Sequence, residues 1–295
     1  MSNDPEILEN VNPKVLDMDQ RFHSAQYAIS TGDADRLTRL LDDDPDLAKA
    51  LSTCSHPTLL QCLVLQMPAV GDVERMIEIL ARRGATLENP LTAAAGIDNL
   101  RAIAKLLDLG ASVEGNGDWS PLEEAIYWGH AEAIALLIQH GAKIDNLRKA
   151  SALGDLVIAA SYFDPNGQLK SEAGVVSWPF GDRLSIEDRQ RPSEILNNAL
   201  VHAAAWGRIE VARFLLDRGA AIDSIPLGFD FAGTALHYAA LRGHRGMVDR
   251  LLNWGANPAI PDAKIGKFPE DWADHDGHNE LAEHLRVVRR SGTVA

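Results

Sequence analysis

Apolar residues recur along this chain in short blocks at helical spacing, and paired glycines mark the ends of the blocks. Gly129 and Gly141, Gly207 and Gly219, and Gly243 and Gly255 each stand twelve residues apart. Ala142, Ala220 and Ala256 follow the second glycine of each pair. Between the glycines lie Ile134-Ala-Leu-Leu-Ile138, Val211-Ala-Arg-Phe-Leu-Leu216 and Met247-Val-Asp-Arg-Leu-Leu252, whose periodicity predicts amphipathic helices. The second glycine is the expected helix stop, because glycine alone takes the left-handed conformation at little cost. The first glycine ends a preceding helix in the same way. Each copy therefore reads as a short helix, a tight turn, a second helix and a Gly-Ala stop.

Weaker copies extend the pattern in both directions. Ala25 to Leu41 forms a first one, ending in Asp42-Asp-Asp-Pro-Asp46 instead of Gly-Ala. A second runs from Thr58 to Ala85, and a third from Pro90 to Ala111, with Asp98 at the first glycine position. Trp119-Ser-Pro-Leu opens the fourth, and Lys149 to Phe163 forms a fifth that ends at Asp164-Pro-Asn-Gly167. The sixth and seventh surround Gly207 and Gly243, and Gly266 to Leu285 forms the last. A motif repeated at fixed internal spacing signals a repeat architecture, in which neighbouring helix pairs bury one another's apolar faces. The small runs Ala93-Ala-Ala95, Ala203-Ala-Ala205 and Ala239-Ala240 would let the first helices approach closely.

The segment from Thr234-Ala-Leu-His237 through Gly243-His244 to Gly255-Ala-Asn257 resembles the ankyrin repeat. That resemblance implies an all-α solenoid of stacked helix-turn-helix units, about eight of them, with one irregular inserted loop. The reading divides the chain into a non-repeat segment at 1–20, repeats one to five at 21–163, an inserted loop at 164–196, repeats six to eight at 197–287 and a tail at 288–295. The insertion follows from spacing. Gly141 and Gly219 are 78 residues apart, more than two ordinary repeats of ~33 residues occupy. The stretch from Gly167 to Arg183 shows no helical period, and none resumes until about Glu194. Trp178-Pro-Phe180 gives it an apolar anchor. The insertion either folds over a groove or plugs the gap between the fifth and sixth repeats. Pro5 and Pro13 are expected to interrupt any long helix at the start, and Ser291 to Ala295 to fray.

In proteins that this chain resembles, partners contact loop tips and the two residues before the first glycine. Carried over by position, those are Tyr127 and Trp128, Ala205 and Trp206, Leu241 and Arg242, and His275 and Asp276. Trp119 matches a loop tip. Trp119, Tyr127, Trp128, Trp206, Leu241, Arg242 and His275 are therefore the candidate partner-binding residues. Tyr, Trp and Arg are the types enriched in interface hot spots. Trp128 and Trp206 have a second reading, as packing against neighbouring inner helices. His237 matches the structural histidine of the family's Thr-Pro-Leu-His motif, where its ring would bridge backbone groups of adjacent loops. His202 is one position off.

Composition narrows the function classes. The chain carries 42 acidic and 28 basic residues, a formal net charge of −14, with a cluster at Asp42, Asp43, Asp44 and Asp46. That balance argues against a nucleic-acid partner, which requires clustered Lys and Arg, and favours a basic protein partner by complementarity. The N-terminus lacks the basic and apolar segments of a secretory signal, and no run approaches a membrane span, so a cytoplasmic protein is expected. Two cysteines, Cys54 and Cys62, make neither a zinc pattern nor a disulfide framework and read as buried thiols. There is no Gly-rich phosphate loop, nucleophile elbow or His-Glu-x-x-His pattern. His275, His278, Glu280, Glu283 and His284 are the densest group, but His278 sits at the ordinary Gly-His turn, as His130 and His244 do. Glu123 and Glu124 are adjacent on a helix and do not face each other. No catalytic residue, cofactor or metal is expected. The leading function class, which the resemblance implies, is a non-enzymatic module that binds a protein partner through a concave groove, as a scaffold, adaptor or inhibitor. The alternative is an enzyme or small-ligand binder with a pocket between the 164–193 loop and the groove, near Trp178, Trp206 and Tyr127.

Overall fold

The computed structural model describes residues 13–52, 58–66, 71–117, 119–177 and 184–292. Among them it contains seventeen helices, two short 3-10 turns and a single isolated bridge between Phe163 and Leu169. The chain forms two compact units, residues 1–142 and 143–295. In the first unit the helices are α1 (Pro13–Ser30), α2 (Ala34–Asp43), α3 (Leu59–Gln66), α4 (Val73–Arg82), α5 (Glu88–Ala95), α6 (Leu100–Asp108), α7 (Pro121–Trp128) and α8 (Ala131–Gln139). In the second they are α9 (Leu147–Leu153), α10 (Leu156–Ser161), α11 (Ile186–Gln190), α12 (Pro192–Ala205), α13 (Ile209–Leu216), α14 (Ala235–Leu241), α15 (Arg245–Asn253), α16 (Pro269–His275) and α17 (Asn279–Ser291).

Setting α11 aside, the helices form eight consecutive pairs, four in each unit. In the first unit α1, α3, α5 and α7 pack in one row and α2, α4, α6 and α8 in a second. In the second unit α9, α12, α14 and α16 form the row, and each following helix packs on its own partner. The alanines Ala94, Ala95, Ala203, Ala204, Ala239 and Ala240 are buried between neighbouring first helices, which is what close approach requires. Aliphatics from the second helices close the core from the other side, for example Met76, Ile77 and Leu80 of α4 and Ala102, Ile103 and Leu106 of α6.

Three local outcomes differ from the sequence reading. Pro13 does not interrupt a helix but begins one, at the first position, where a missing N–H costs nothing. Helix resumes before Glu194: α11 spans Ile186–Gln190, and α12 starts at Pro192, again with proline in the first turn. At the other end α17 continues to Ser291 before Gly292 closes it in the left-handed conformation. Trp178-Pro-Phe180 and Cys54 lie outside the described residues.

The described part of the insertion is tied into the second unit. Ala173 and Val176 are buried. Val176 N–H donates to Arg189 O at 2.8 Å, and Arg189 Nε returns a bond to Val176 O at 3.1 Å. Arg148 of α9 donates to Val175 O at 3.3 Å. Gly174 lies against Asn146, the N-cap of α9, and Gly228 lies against Val176 and Asn198 of α12. The segment thus covers apolar surface between the start of α9 and the loop before α14.

Two contacts repeat from one helix pair to the next. The turn histidines reach back over the preceding repeat: His130 Nε2 meets Gly96 O at 3.0 Å, and His244 donates to Ala205 O. The imidazoles of His244 and His278 rest on Gly207 and Gly243, where a Cβ would stand 3.2 and 2.5 Å from the ring. Those glycines thus serve twice, through their positive φ (64° and 68°) and through their missing side chain. Asp98 is the one non-glycine with positive φ among the described residues. Its carboxylate accepts Ala133 N–H at 3.0 Å and so caps α8 of the next repeat.

The second contact closes the start of three first helices, α7, α14 and α16. His237 is fully buried; its Nδ1 accepts Thr234 N–H at 3.1 Å, so Nε2 carries the proton and donates to Lys267 O at 3.1 Å in the next loop. Glu123 fills the equivalent position in the fourth repeat, accepting Ser120 N–H at 2.9 Å, and Asp271 does so in the eighth, accepting Phe268 N–H at 2.9 Å. In the last loop Asp262 accepts the N–H groups of Lys264, Ile265 and Lys267 and the Trp272 indole.

Gly255 also has positive φ (98°), but a Cβ there meets nothing within 4 Å. Gly255→Ala should therefore cost only the backbone term, about 1–2 kcal/mol. Gly243→Ala should cost about 1–3 kcal/mol more, as overpacking against His278 is added. Combining Gly243→Ala with His278→Ala in a denaturation cycle should recover that excess. A second prediction concerns pH. Burial lowers the His237 pKa from 6.5 to about 4, despite the bond to Lys267 O and the nearby Asp262 and Asp271. The unfolded chain then binds the proton first, so stability is full above pH 6.5 and falls as pH drops toward 4, by about 3 kcal/mol at most. Thermal melts across that window should show the slope, and His237→Gln should flatten it.

Candidate partner-binding site

The candidate residues of the first unit converge on α7. Ser120 caps the helix, Pro121 occupies its first turn, and Glu123 completes the capping box with Ser120. That use of Glu123 fixes the rotation of the helix. Glu124, about 100° further round, faces a different side. Its Oε1 accepts the Trp128 indole N–H at 2.8 Å, and its Oε2 accepts the Trp119 indole N–H. Tyr127 stands edge-on to both rings, with centroids 5.9 Å from Trp119 and 5.2 Å from Trp128. Trp119 and Tyr127 are half-buried, and Trp128 is 39% exposed.

The result is an aromatic ledge with a carboxylate at its centre. Burial pushes the Glu124 carboxyl above the usual range, and the two indole donors and nearby His130 act in the opposite direction. Gly96, at the end of α5, makes room for it: a Cβ there would stand 2.7 Å from Glu124 Oε1. Ile97, beside it, is 45% exposed. Gly96 and Ile97 hold the same place before Asp98 that Tyr127 and Trp128 hold before Gly129, so adjacent repeats contribute to one surface.

The second unit presents its candidates in series. Trp206, Leu241, Arg242 and His275 lie at the C-terminal ends of α12, α14 and α16, which pack side by side. Trp206, Leu241 and Arg242 are half-buried and His275 is exposed. Arg208 lies 6.0 Å from the Trp206 ring centre. No group of three or more His, Cys, Asp and Glu among the described residues is placed to hold a metal ion. His278 is drawn to Gly243 by the turn contact, while His284 Nε2 lies 3.1 Å from Asp249.

A family model described as ankyrin repeats (3 copies) matches residues 26–147 and 183–262, more than half of the chain. The chain belongs to the ankyrin-repeat family. Its ankyrin repeats are similar to those of curated proteins. A stretch of 100 residues is 38% identical to a putative palmitoyltransferase, ZDHHC13, of Danio rerio, covering 34% of this chain and 13% of that protein. A stretch of 69 residues is 38% identical to the palmitoyltransferase ZDHHC17 of Homo sapiens, covering 23% and 11%. Over 204 residues it is 27% identical to the ankyrin repeat and KH domain-containing protein mask-1 of Caenorhabditis elegans, covering 64% and 7%. The chain thus spans 13% or less of each of these relatives.

The sequence indicates that Glu123 and Glu124, adjacent on a helix, do not face each other, and assigns neither a role. The structure separates them: Glu123 closes the helix start, and Glu124 organises the ledge. The spacing Glu124-x-x-x-Trp128 was the available signal, since residues four apart share a helix face. Trp119 could be joined to it only through the turn at Ser120.

Gly96 has an ordinary helical φ of −72°, so Gly96→Ala strains no backbone. Its methyl should displace Glu124, release both indole N–H groups to faster hydrogen exchange and leave stability within about 1.5 kcal/mol of wild type. Indole exchange by NMR and a denaturant melt measure the two effects.

Proposed function

We propose that the chain is a non-enzymatic interaction module that holds one protein partner along the ends of its inner helices, as a scaffold, adaptor or inhibitor. The observation that carries this reading is the placement of large aromatic and cationic side chains at one repeated position. Tyr127 and Trp128, Trp206, Arg242 and His275 each end a first helix, partly or fully accessible. Such residues bring large contact area at low entropic cost. Membership of the ankyrin-repeat family supports binding as the mode of action, although a shared fold is weak evidence for any particular partner.

The net charge of −14 favours a basic partner. Among the described residues no helix is long and apolar enough to cross a membrane. Burial pushes the Cys62 thiol up to about 11, which keeps it a protonated, inert core residue.

The test is affinity capture from native lysate with wild type and a Tyr127→Ala/Trp206→Ala/Arg242→Ala variant, matched for helical signal and melting temperature. The expected result is a protein retained by wild type and lost by the variant. Equal capture by both would remove the inner-helix ends as the binding surface.

A further inference from the structure

The acidic excess is not spread evenly. Residues 1–142 hold 22 acidic and 10 basic residues, a net of −12, whereas residues 143–295 hold 20 and 18, a net of −2. Within the first unit four carboxylates pair with cations of the neighbouring repeat. Asp35 pairs with Arg75 at 2.7 Å, Asp42 with Arg83 at 2.5 Å, Glu74 with Arg101 at 3.1 Å, and Glu78 with Lys105. These pairs join successive second helices along the surface of the stack. Glu124 differs in its setting: it is half-buried, and it accepts the indole N–H groups of Trp119 and Trp128 beside the Tyr127 ring.

We propose that the Trp119–Tyr127–Trp128 ledge docks a lysine or arginine side chain of a basic protein partner, with Glu124 receiving the cation. This rests on the reading of the inner-helix ends as a protein-binding surface, and it names the chemistry recognised there. Each Glu124 oxygen accepts one indole N–H and keeps a further lone pair. The indole bonds hold the carboxylate in place, so a cation meets a pre-oriented acceptor. The rings add what a bare carboxylate lacks: aromatic faces attract a cation, and they cover the aliphatic stem of Lys or Arg. Partial exclusion of water strengthens a charge pair relative to one in bulk solvent. The surrounding field of the first unit steers the same class of partner toward the ledge.

The experiment uses the full chain with 15N-labelled tryptophan. Indole signals are assigned by Trp119→Phe and Trp128→Phe. The probes are a capped twelve-residue peptide of alternating lysine and serine, and the same peptide with norleucine for lysine, both at 0.15 M salt. The lysine peptide should shift the Trp119 and Trp128 indole resonances together and saturably, and the norleucine peptide should not. Glu124→Gln should weaken binding at least tenfold. Asp43→Asn/Asp46→Asn, which removes two exposed charges from the first repeat, should weaken it less than twofold.

Absence of an indole shift with the lysine peptide, or equal weakening by the two variants, would overturn the proposal. If Glu124→Gln alters the fold, the contrast between the two peptides on wild type still decides. The parent reading is judged separately by the lysate capture. A partner lost with the triple variant but kept by a folded Glu124→Gln would leave that reading standing and sink this one.

Discussion

A pair of short helices has one apolar face and no means of covering it alone. In this chain the next pair covers it, and almost every notable residue choice serves that contact. Alanines on the first helices allow close approach, and aliphatics on the second fill what remains. The turn glycines carry the contact into the loops. Gly207 and Gly243 take a left-handed backbone and present a bare surface on which the following repeat seats its imidazole. Neighbouring repeats are thereby joined by packing in the core and by polar contacts at the turn.

The polar contacts keep their geometry while their chemistry varies. His237, Glu123 and Asp271 all accept the N–H that opens their own helix, three residues back. Only His237 among these three is shown also donating to the next loop, at Lys267. An imidazole has both an acceptor and a donor, whereas an ionised carboxylate has acceptors alone. Asp98 shows a related exchange. It takes the backbone position of a turn glycine and uses its side chain to cap the following helix, alongside the His130 contact to Gly96 O.

The candidate surface lies at positions that packing does not fully claim. In the first unit, capping consumes Glu123 and inter-repeat ion pairs consume several surface acids. Glu124 is left among three aromatic rings, in the more acidic unit. In the second unit the inserted segment is drawn into packing between α9 and the loop before α14, and the aromatic and cationic helix ends remain accessible in series. The two units therefore differ in charge and in surface chemistry while sharing one repeat.

The all-α class, the eight helix pairs and the bridging role of His237 were legible in the sequence, because each is set by local rules. Glycine spacing marks turns, a 3.6-residue period marks faces, and a helix start requires a capping partner at fixed distance. The candidate surface was legible as positions but not as an arrangement. Tyr127 and Trp128 could be placed at a helix end by counting, yet their assembly with Trp119 around Glu124 depends on the path of the chain through Ser120. The space for that carboxylate depends on Gly96, which belongs to another repeat. Likewise Pro13 reads as a break in the sequence, whereas the structure has a helix running from it. Proline forbids the helix interior and suits its first turn, and only neighbouring packing decides which applies. Sequence by itself determined the repeating unit, since local backbone preference sets it. Tertiary structure decided which side chains meet across repeats, since that depends on distances no linear spacing encodes.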